Sequence, residues 1–155
     1  MIKYINGVPN DPEAIGPYSQ ATIFDKMVFV SGQIPVHPET GEIVSEDVEE
    51  QADRVMRNLI AVLGHMGLDF THVLKATIYL TDLGCFQKVN NVYSKWMGNV
   101  RPARACVQVA ALPKGAQVEI ELVAVLESQD HLMFPHGSVE ELEDVESEGY
   151  RVTDS

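Results

Sequence analysis

Positive charge is scarce in this chain. Eleven Lys and Arg stand against 23 Asp and Glu, which leaves a formal net charge of −12 over 155 residues. Residues 1–127 hold 15 acids and 10 bases, net −5, while residues 128–155 hold eight acids and one base, Arg151, net −7. Neither part offers the Lys/Arg stripe that neutralises a phosphate backbone, so the charge argues against a nucleic-acid partner. Cysteine is nearly absent as well: Cys85 and Cys106 form no CxxC and no disulfide framework. No apolar run approaches the ~18–20 residues that span a bilayer. The start, Met1-Ile-Lys-Tyr-Ile-Asn-Gly-Val8, has no hydrophobic core followed by a small-residue cleavage site. The expectation is a cytoplasmic protein with reduced thiols and no membrane partner. Glycine-rich dinucleotide and phosphate loops and the GxSxG elbow are missing too. The five histidines fall in no HxxxH or HxH pattern: His65 and His72 straddle a glycine, and His131 and His136 flank a proline. No metal site is expected.

What remains is ordinary globular material, 45% hydrophobic and 22% charged, of a size that buries one core. Thr22–Ser31 predicts a β-hairpin turning at Asp25-Lys26, stopped by Gly32-Gln-Ile-Pro35. Ser45 precedes Glu46, Asp47, Glu49 and Glu50, the acidic start of a capped helix. Val48, Ala52, Val55, Leu59, Val62 and Met66 then recur on one helical stripe, which Gly64 and Gly67 end. Val73–Leu80 reads as a strand. Asp82 caps a second helix, with Phe86, Val89, Tyr93 and Trp96 on one face and Pro102 closing the loop beyond. Strands over 103–110 and 116–126, joined by Leu112-Pro-Lys-Gly115, complete an order β-β-α-β-α-β-β, with a short strand added near Lys3–Ile5. Helical crossovers give parallel neighbours and hairpins antiparallel ones, so the fold class is α/β (α+β): a mixed sheet with two helices on one face.

In the last strand Val118, Ile120, Leu122, Ala124 and Leu126 form one face, and Glu119, Glu121, Val123, Val125 and Glu127 the other. The second face is half apolar, although the helices cover only one side. Burial against another subunit is the expectation, hence a homo-oligomer. The domain is expected to span 1–127. Residues 128–155 form an acidic C-terminal extension, either an ordered arm with His131–Pro135 packed on the body and a helical turn or two near Val139–Val145, or a disordered tail.

Alternation puts Arg104, Cys106 and Gln108 on one face of their strand. The short loop to the next strand suggests that these two strands pair, which would bring Arg104 near Glu119. Two readings of that pair stand: a structural ion pair, or an anion clamp with Glu119 free to handle a proton. Cys106 lacks a neighbouring base, so packing is preferred to nucleophilic work. Tyr18, in Gly16-Pro-Tyr-Ser-Gln20, and Ser31-Gly-Gln33, at the far end of the hairpin, either frame loops or line a pocket. Asn90 is an amide in an amphipathic helix, facing solvent or the sheet.

Taken together, Ile15-Gly-Pro-Tyr-Ser-Gln-Ala21, Val30-Ser-Gly-Gln-Ile-Pro35, Thr40-Gly-Glu42, Val89-Asn90 with Tyr93, Pro102-Ala-Arg-Ala-Cys106, and Leu112-Pro-Lys-Gly115 followed by Val118-Glu-Ile-Glu121 resemble the RidA/YjgF family. Its members are also called L-PSP endoribonucleases or translation inhibitors. The resemblance runs from about residue 3 to 126 in family order. It implies a chorismate-mutase-like fold assembled as a homotrimer, with sheets forming an inner barrel, helices outside and three sites between subunits. The implied activity is hydrolysis of 2-aminoacrylate, 2-iminobutanoate and similar small-molecule 2-imino acids to 2-keto acids and ammonia, with no cofactor. Carried over by motif, Arg104 clamps the substrate carboxylate and Glu119 deprotonates water. The Cys106 backbone holds the imine nitrogen, and Tyr18, Ser31 and Asn90 shape the cleft. Ala105 departs from the serine common in the family, and the acidic extension has no counterpart in its typical member. Two other activities compete: a non-catalytic module that holds a small carboxylate, and the ribonuclease of the family name, which the acidity opposes.

Overall fold

The computed structural model describes residues 1–126. The expectations for the acidic extension, including His131–Pro135 and Val139–Val145, lie outside the described residues. Six strands and two helices follow one another as β1 (Lys3–Ile5), β2 (Ala21–Phe24), β3 (Met27–Gln33), α1 (Val48–His65), β4 (Val73–Leu80), α2 (Phe86–Met97), β5 (Ala103–Gln108) and β6 (Val118–Val125). The strands form one mixed sheet in the order β1-β2-β3-β6-β4-β5. Only β4 and β5 run parallel, as the α2 crossover between them requires.

Two expectations are corrected here. β5 and β6 are not neighbours, because β4 lies between them and pairs with both. Their connection is residues 109–117, with a helical turn at Pro113–Gly115. That is too long for a tight hairpin and long enough to cross the width of a strand. β3 also runs past Ser31 to Gln33, with a bulge between Val30 and Gln33 in its pairing with β6. A glycine inside a strand, here Gly32, is the residue such an irregularity favours.

α1 is capped by Asp47 rather than Ser45: the Asp47 carboxylate accepts from Glu50 N, and Ser45 Oγ accepts from Asp47 N. Val48, Ala52, Val55, Leu59 and Val62 are buried as the stripe predicts, together with Met56 and Leu63. A side chain such as Leu59 contributes ~1.5–3 kcal/mol by leaving water. Val89, Tyr93 and Met97 bring α2 to the same core, against Val28, Ala76, Ile78, Ile120 and Leu122 of the sheet. Both helices therefore cover one face. The other face stays open, with Phe24 58%, Phe29 47% and Val107 44% exposed. Buried amides hold the loops around this core. Asn58 Nδ2 donates to the carbonyls of Ile34 and Val36 at 3.2 and 3.1 Å, which pins the chain leaving β3.

The loop from β1 to β2 closes on Gln20. Its Oε1 accepts from Val8 N at 3.0 Å, and its Nε2 donates to Asp11 Oδ2 at 2.6 Å and to the Pro12 carbonyl at 2.9 Å. Asp11 is 5% exposed, and its Oδ1 has no partner. Burial, opposed by the Gln20 bond and the charge of Arg54, pushes its carboxyl up to about 7. The unfolded value is about 3.9, so the folded chain holds an extra proton between the two, and stability falls as pH rises through the higher one. Asp11→Asn should therefore reduce the decline of melting temperature between about pH 4 and 8, and should melt above the parent at the alkaline end. A pH slope equal to the parent's would contradict this account of Asp11.

Candidate active site

The register sets Arg104 opposite Ala76 and Cys106 opposite Ile78, both buried beneath the helices, so these β5 side chains face the helix side. Phe86, Asn90 and Tyr93 share one face of α2 and receive the guanidinium. It lies 5.0 Å from the Tyr93 ring centroid and 5.6 Å from that of Phe86. Arg104 Nη1 donates to Asn90 Oδ1 at 2.7 Å. Asn90 is thus the sheet-contacting amide of the two readings, and its contact is the Arg104 side chain of β5. Its oxygen orients the arginine without cancelling its charge, and Arg104 has no ion-pair partner among the described residues. A cation held in this way is available to a carboxylate. The guanidinium borders a cleft of about 440 Å³, lined also by Asn90, Tyr93, Met97, Arg101 and Pro102. Cys106 is half-buried behind it. Burial pushes its thiol up, against the lowering effect of Arg104, so the sulfur is a poorer nucleophile than a free thiol.

Glu119 lies on the opposite face. It pairs with Tyr79 of β4, and its carboxyl rests on the backbone of Gly32 at the β3 bulge. A Cβ at Gly32 would stand 2.9 Å from Glu119 Cδ, so the close approach needs a glycine there. Burial first, and the charge of Glu121 second, raise the Glu119 carboxyl above the ordinary glutamate range. None of the described residues donates a hydrogen bond to it. Such a group can take a proton near neutral pH more readily than an exposed glutamate.

Tyr18 is half-exposed and lines a second cleft, of about 450 Å³, with Ile15, Gln20, Gly32, Gln33 and Lys114. Its hydroxyl oxygen accepts from Ile15 N at 3.3 Å. Ser31 Oγ donates to the Ser19 carbonyl at 2.6 Å, tying β3 to the loop that carries Tyr18. The six candidate residues therefore fall into two groups. Arg104, Asn90 and Cys106 gather at the β5 edge on the helix side. Tyr18, Ser31 and Glu119 gather around the Gly32 bulge. The two clefts share no lining residue. Within one chain Arg104 and Glu119 do not meet, and the intrachain ion pair is corrected accordingly.

The expected lining by Ser31-Gly-Gln33 is met by Gly32 and Gln33, but the close approach of Gly32 to Glu119 was not read from the sequence, although a glycine within a strand pattern marks such a contact. Nor were the roles of Tyr79 and of the aromatic seat for Arg104. Phe86 and Tyr93 read as the apolar face of α2, and Tyr93 also as part of the family motif. Tyr79 needed the β4–β6 register, through which its hydroxyl donates to Glu121 Oε1 at 2.6 Å.

Residues 8–126 match the family model described as Endoribonuclease L-PSP. Protein DfrA of Myxococcus xanthus is 59% identical over 74% of this chain and 88% of its own. The 2-iminobutanoate/2-iminopropanoate deaminase of Homo sapiens is 43% identical over 81% of this chain and 91% of its own. Among solved structures, a putative endoribonuclease from Thermotoga maritima superimposes with a TM-score of 0.78 at 48% identity, covering 81% of this chain and 99% of that one. E. coli TdcF with bound serine gives 0.76 at 43%, covering 81% and 100%.

The contact at Gly32 can be tested directly. In Gly32→Ala the new methyl meets the far end of a flexible side chain, so the fold should persist while the Glu119 carboxyl moves toward water. NMR titration should then find Glu119 closer to an ordinary glutamate than in the parent. An unchanged titration would contradict the close packing.

Proposed function

Because the chain belongs to the Endoribonuclease L-PSP family, the YjgF/RidA family, we propose that it hydrolyses reactive 2-enamine and 2-imine acids such as 2-aminoacrylate and 2-iminobutanoate, yielding 2-keto acids and ammonia. The observation that carries this reading is Arg104, oriented by an amide and two rings with no carboxylate partner among the described residues. A planar guanidinium so placed suits the carboxylate of a small 2-imino acid. Relatives named 2-iminobutanoate/2-iminopropanoate deaminase support the reaction class. A solved relative with bound serine supports a small amino-acid-like ligand.

The proposed chemistry asks little of the protein beyond placement, because an imine carbon conjugated to a carboxylate is already electrophilic. Glu119 accepts a proton from water as the oxygen bonds to C2 of the protonated imine, whose C=N electron pair moves onto nitrogen to give a carbinolamine. Glu119 then returns that proton to the amino nitrogen and, as the C–N bond breaks, takes the proton of the C2 hydroxyl, releasing ammonia and the keto acid and passing this last proton to solvent. The Cys106 backbone holds the nitrogen; Tyr18 and Ser31 frame the cleft, and Asn90 keeps Arg104 aimed. We assign this work to residues 1–127 and a cytoplasmic setting.

Arg104 and Glu119 occupy opposite faces of one sheet, so the proposal includes a second copy. The open face, with Phe29 exposed beside Val123 on β6 and Val107 exposed on the edge strand β5, supports packing of sheet against sheet. A homotrimer with sheets inside and helices outside would form three sites, each joining Arg104 of one chain to Glu119 of the next. A small-carboxylate binding module would use the same arginine and no base. A ribonuclease is disfavoured by the net charge of −12.

In a threonine dehydratase reaction containing semicarbazide, the protein should divert imine from the trapped adduct to free keto acid. Arg104→Ala should lose both this diversion and 2-ketobutyrate binding. Glu119→Ala should lose diversion by ~10²-fold or more and keep binding. Unaltered partitioning with measurable 2-ketobutyrate binding would reject the enzyme in favour of the module.

A further inference from the structure

Glu121 takes no part in the chemistry above, yet it is built into the same surface. It follows Glu119 by two residues on β6, so both carboxylates point to the open face, ~7 Å apart along the strand. Tyr79 stands opposite Glu119 in the register, and its hydroxyl crosses diagonally to Glu121 Oε1 at 2.6 Å. That short bond holds the Glu121 carboxylate in place.

The surroundings leave the pair isolated. On this face β4 adds Lys75, which is exposed and opposite Val123, then Thr77 and Tyr79. β3 adds Met27, Phe29 and Ser31 before the Gly32 bulge, and β5, beyond β4, adds Ala103, Ala105 and Val107. Among the described residues, the charge that acts on Glu119 is that of Glu121. The bond to Glu121, burial, and the charges of Glu121 and Glu119 push the Tyr79 phenol up to about 12. It therefore remains a donor across the physiological range.

We propose that Glu121, locked by the Tyr79 hydroxyl, is a positioning residue that acts through Glu119: it keeps a carboxylate charge fixed beside the base and so sets the pH at which that base works. This rests on the reading of Glu119 as the base. The arrangement explains why the strand carries two carboxylates on one face. The charge of Glu121 makes Glu119, two residues away, bind its proton more tightly. A cation in Glu121's place would do the reverse and leave Glu119 a weaker base.

The test is the pH dependence of kcat/KM for imine hydrolysis. Glu121→Gln keeps an acceptor for Tyr79 but removes the charge, so the acid limb should move to lower pH by about half a unit or more. Tyr79→Phe frees Glu121 to swing toward water and should move the limb the same way by less. Melting temperatures near the parent's would show that each variant folds. A limb at the parental pH in both variants, with Glu119→Gln inactive, would overturn this inference alone. Full activity in Glu119→Gln would remove the reading of the base, and this inference with it.

Discussion

The position of β4 between β5 and β6 governs the chemistry of this chain. It makes β5 an edge strand, from which Arg104 reaches α2, and it leaves Glu119 on the far face beside Tyr79 and Gly32. A guanidinium next to Glu119 in the same chain would depress the carboxyl and neutralise itself. Kept apart, the cation has no anion and the carboxyl no cation among the described residues. Each stays reactive until a substrate, and on our proposal a second copy, brings them together.

Neutral amides do much of the holding around the core. Asn90 aims Arg104, Gln20 gathers Val8, Asp11 and Pro12, and Asn58 fixes the carbonyls of Ile34 and Val36. Gln51 donates to the Ser45 carbonyl and accepts from Gln117 N, joining the start of α1 to the approach of β6. Buried amides satisfy backbone groups at no cost in buried charge. The exceptions, Asp11 and Glu119, are the carboxyls whose burial raises their affinity for a proton. Asp11 serves the loop that carries Tyr18, whereas Glu119 faces the open side of the sheet.

Much of this fold was legible in the residues. The apolar stripe of α1, the period-two face of β6 and the Asp25 turn were local patterns, and each depends on spacing alone. Arg104, Asn90 and Glu119 could also be singled out, through the motifs that carry them. Their relative placement could not. Strand order is a property of crossovers and loop spans, and the link between β5 and β6 read as a short hairpin when it passes over β4. The role of Glu121 was hidden for the same reason: it depends on a tyrosine 42 positions away that only the register brings near.

The central claim is that a complete site needs Arg104 from one chain and Glu119 from another, and a mixing experiment tests it most directly. Arg104→Ala and Glu119→Ala chains, each inactive alone, would be unfolded together in equal amounts, refolded, and assayed for imine hydrolysis. Random assembly of a closed ring should restore roughly a quarter of the parental activity, because some interfaces then unite an intact arginine with an intact glutamate. A mixture as inactive as its parents would contradict a site shared between chains.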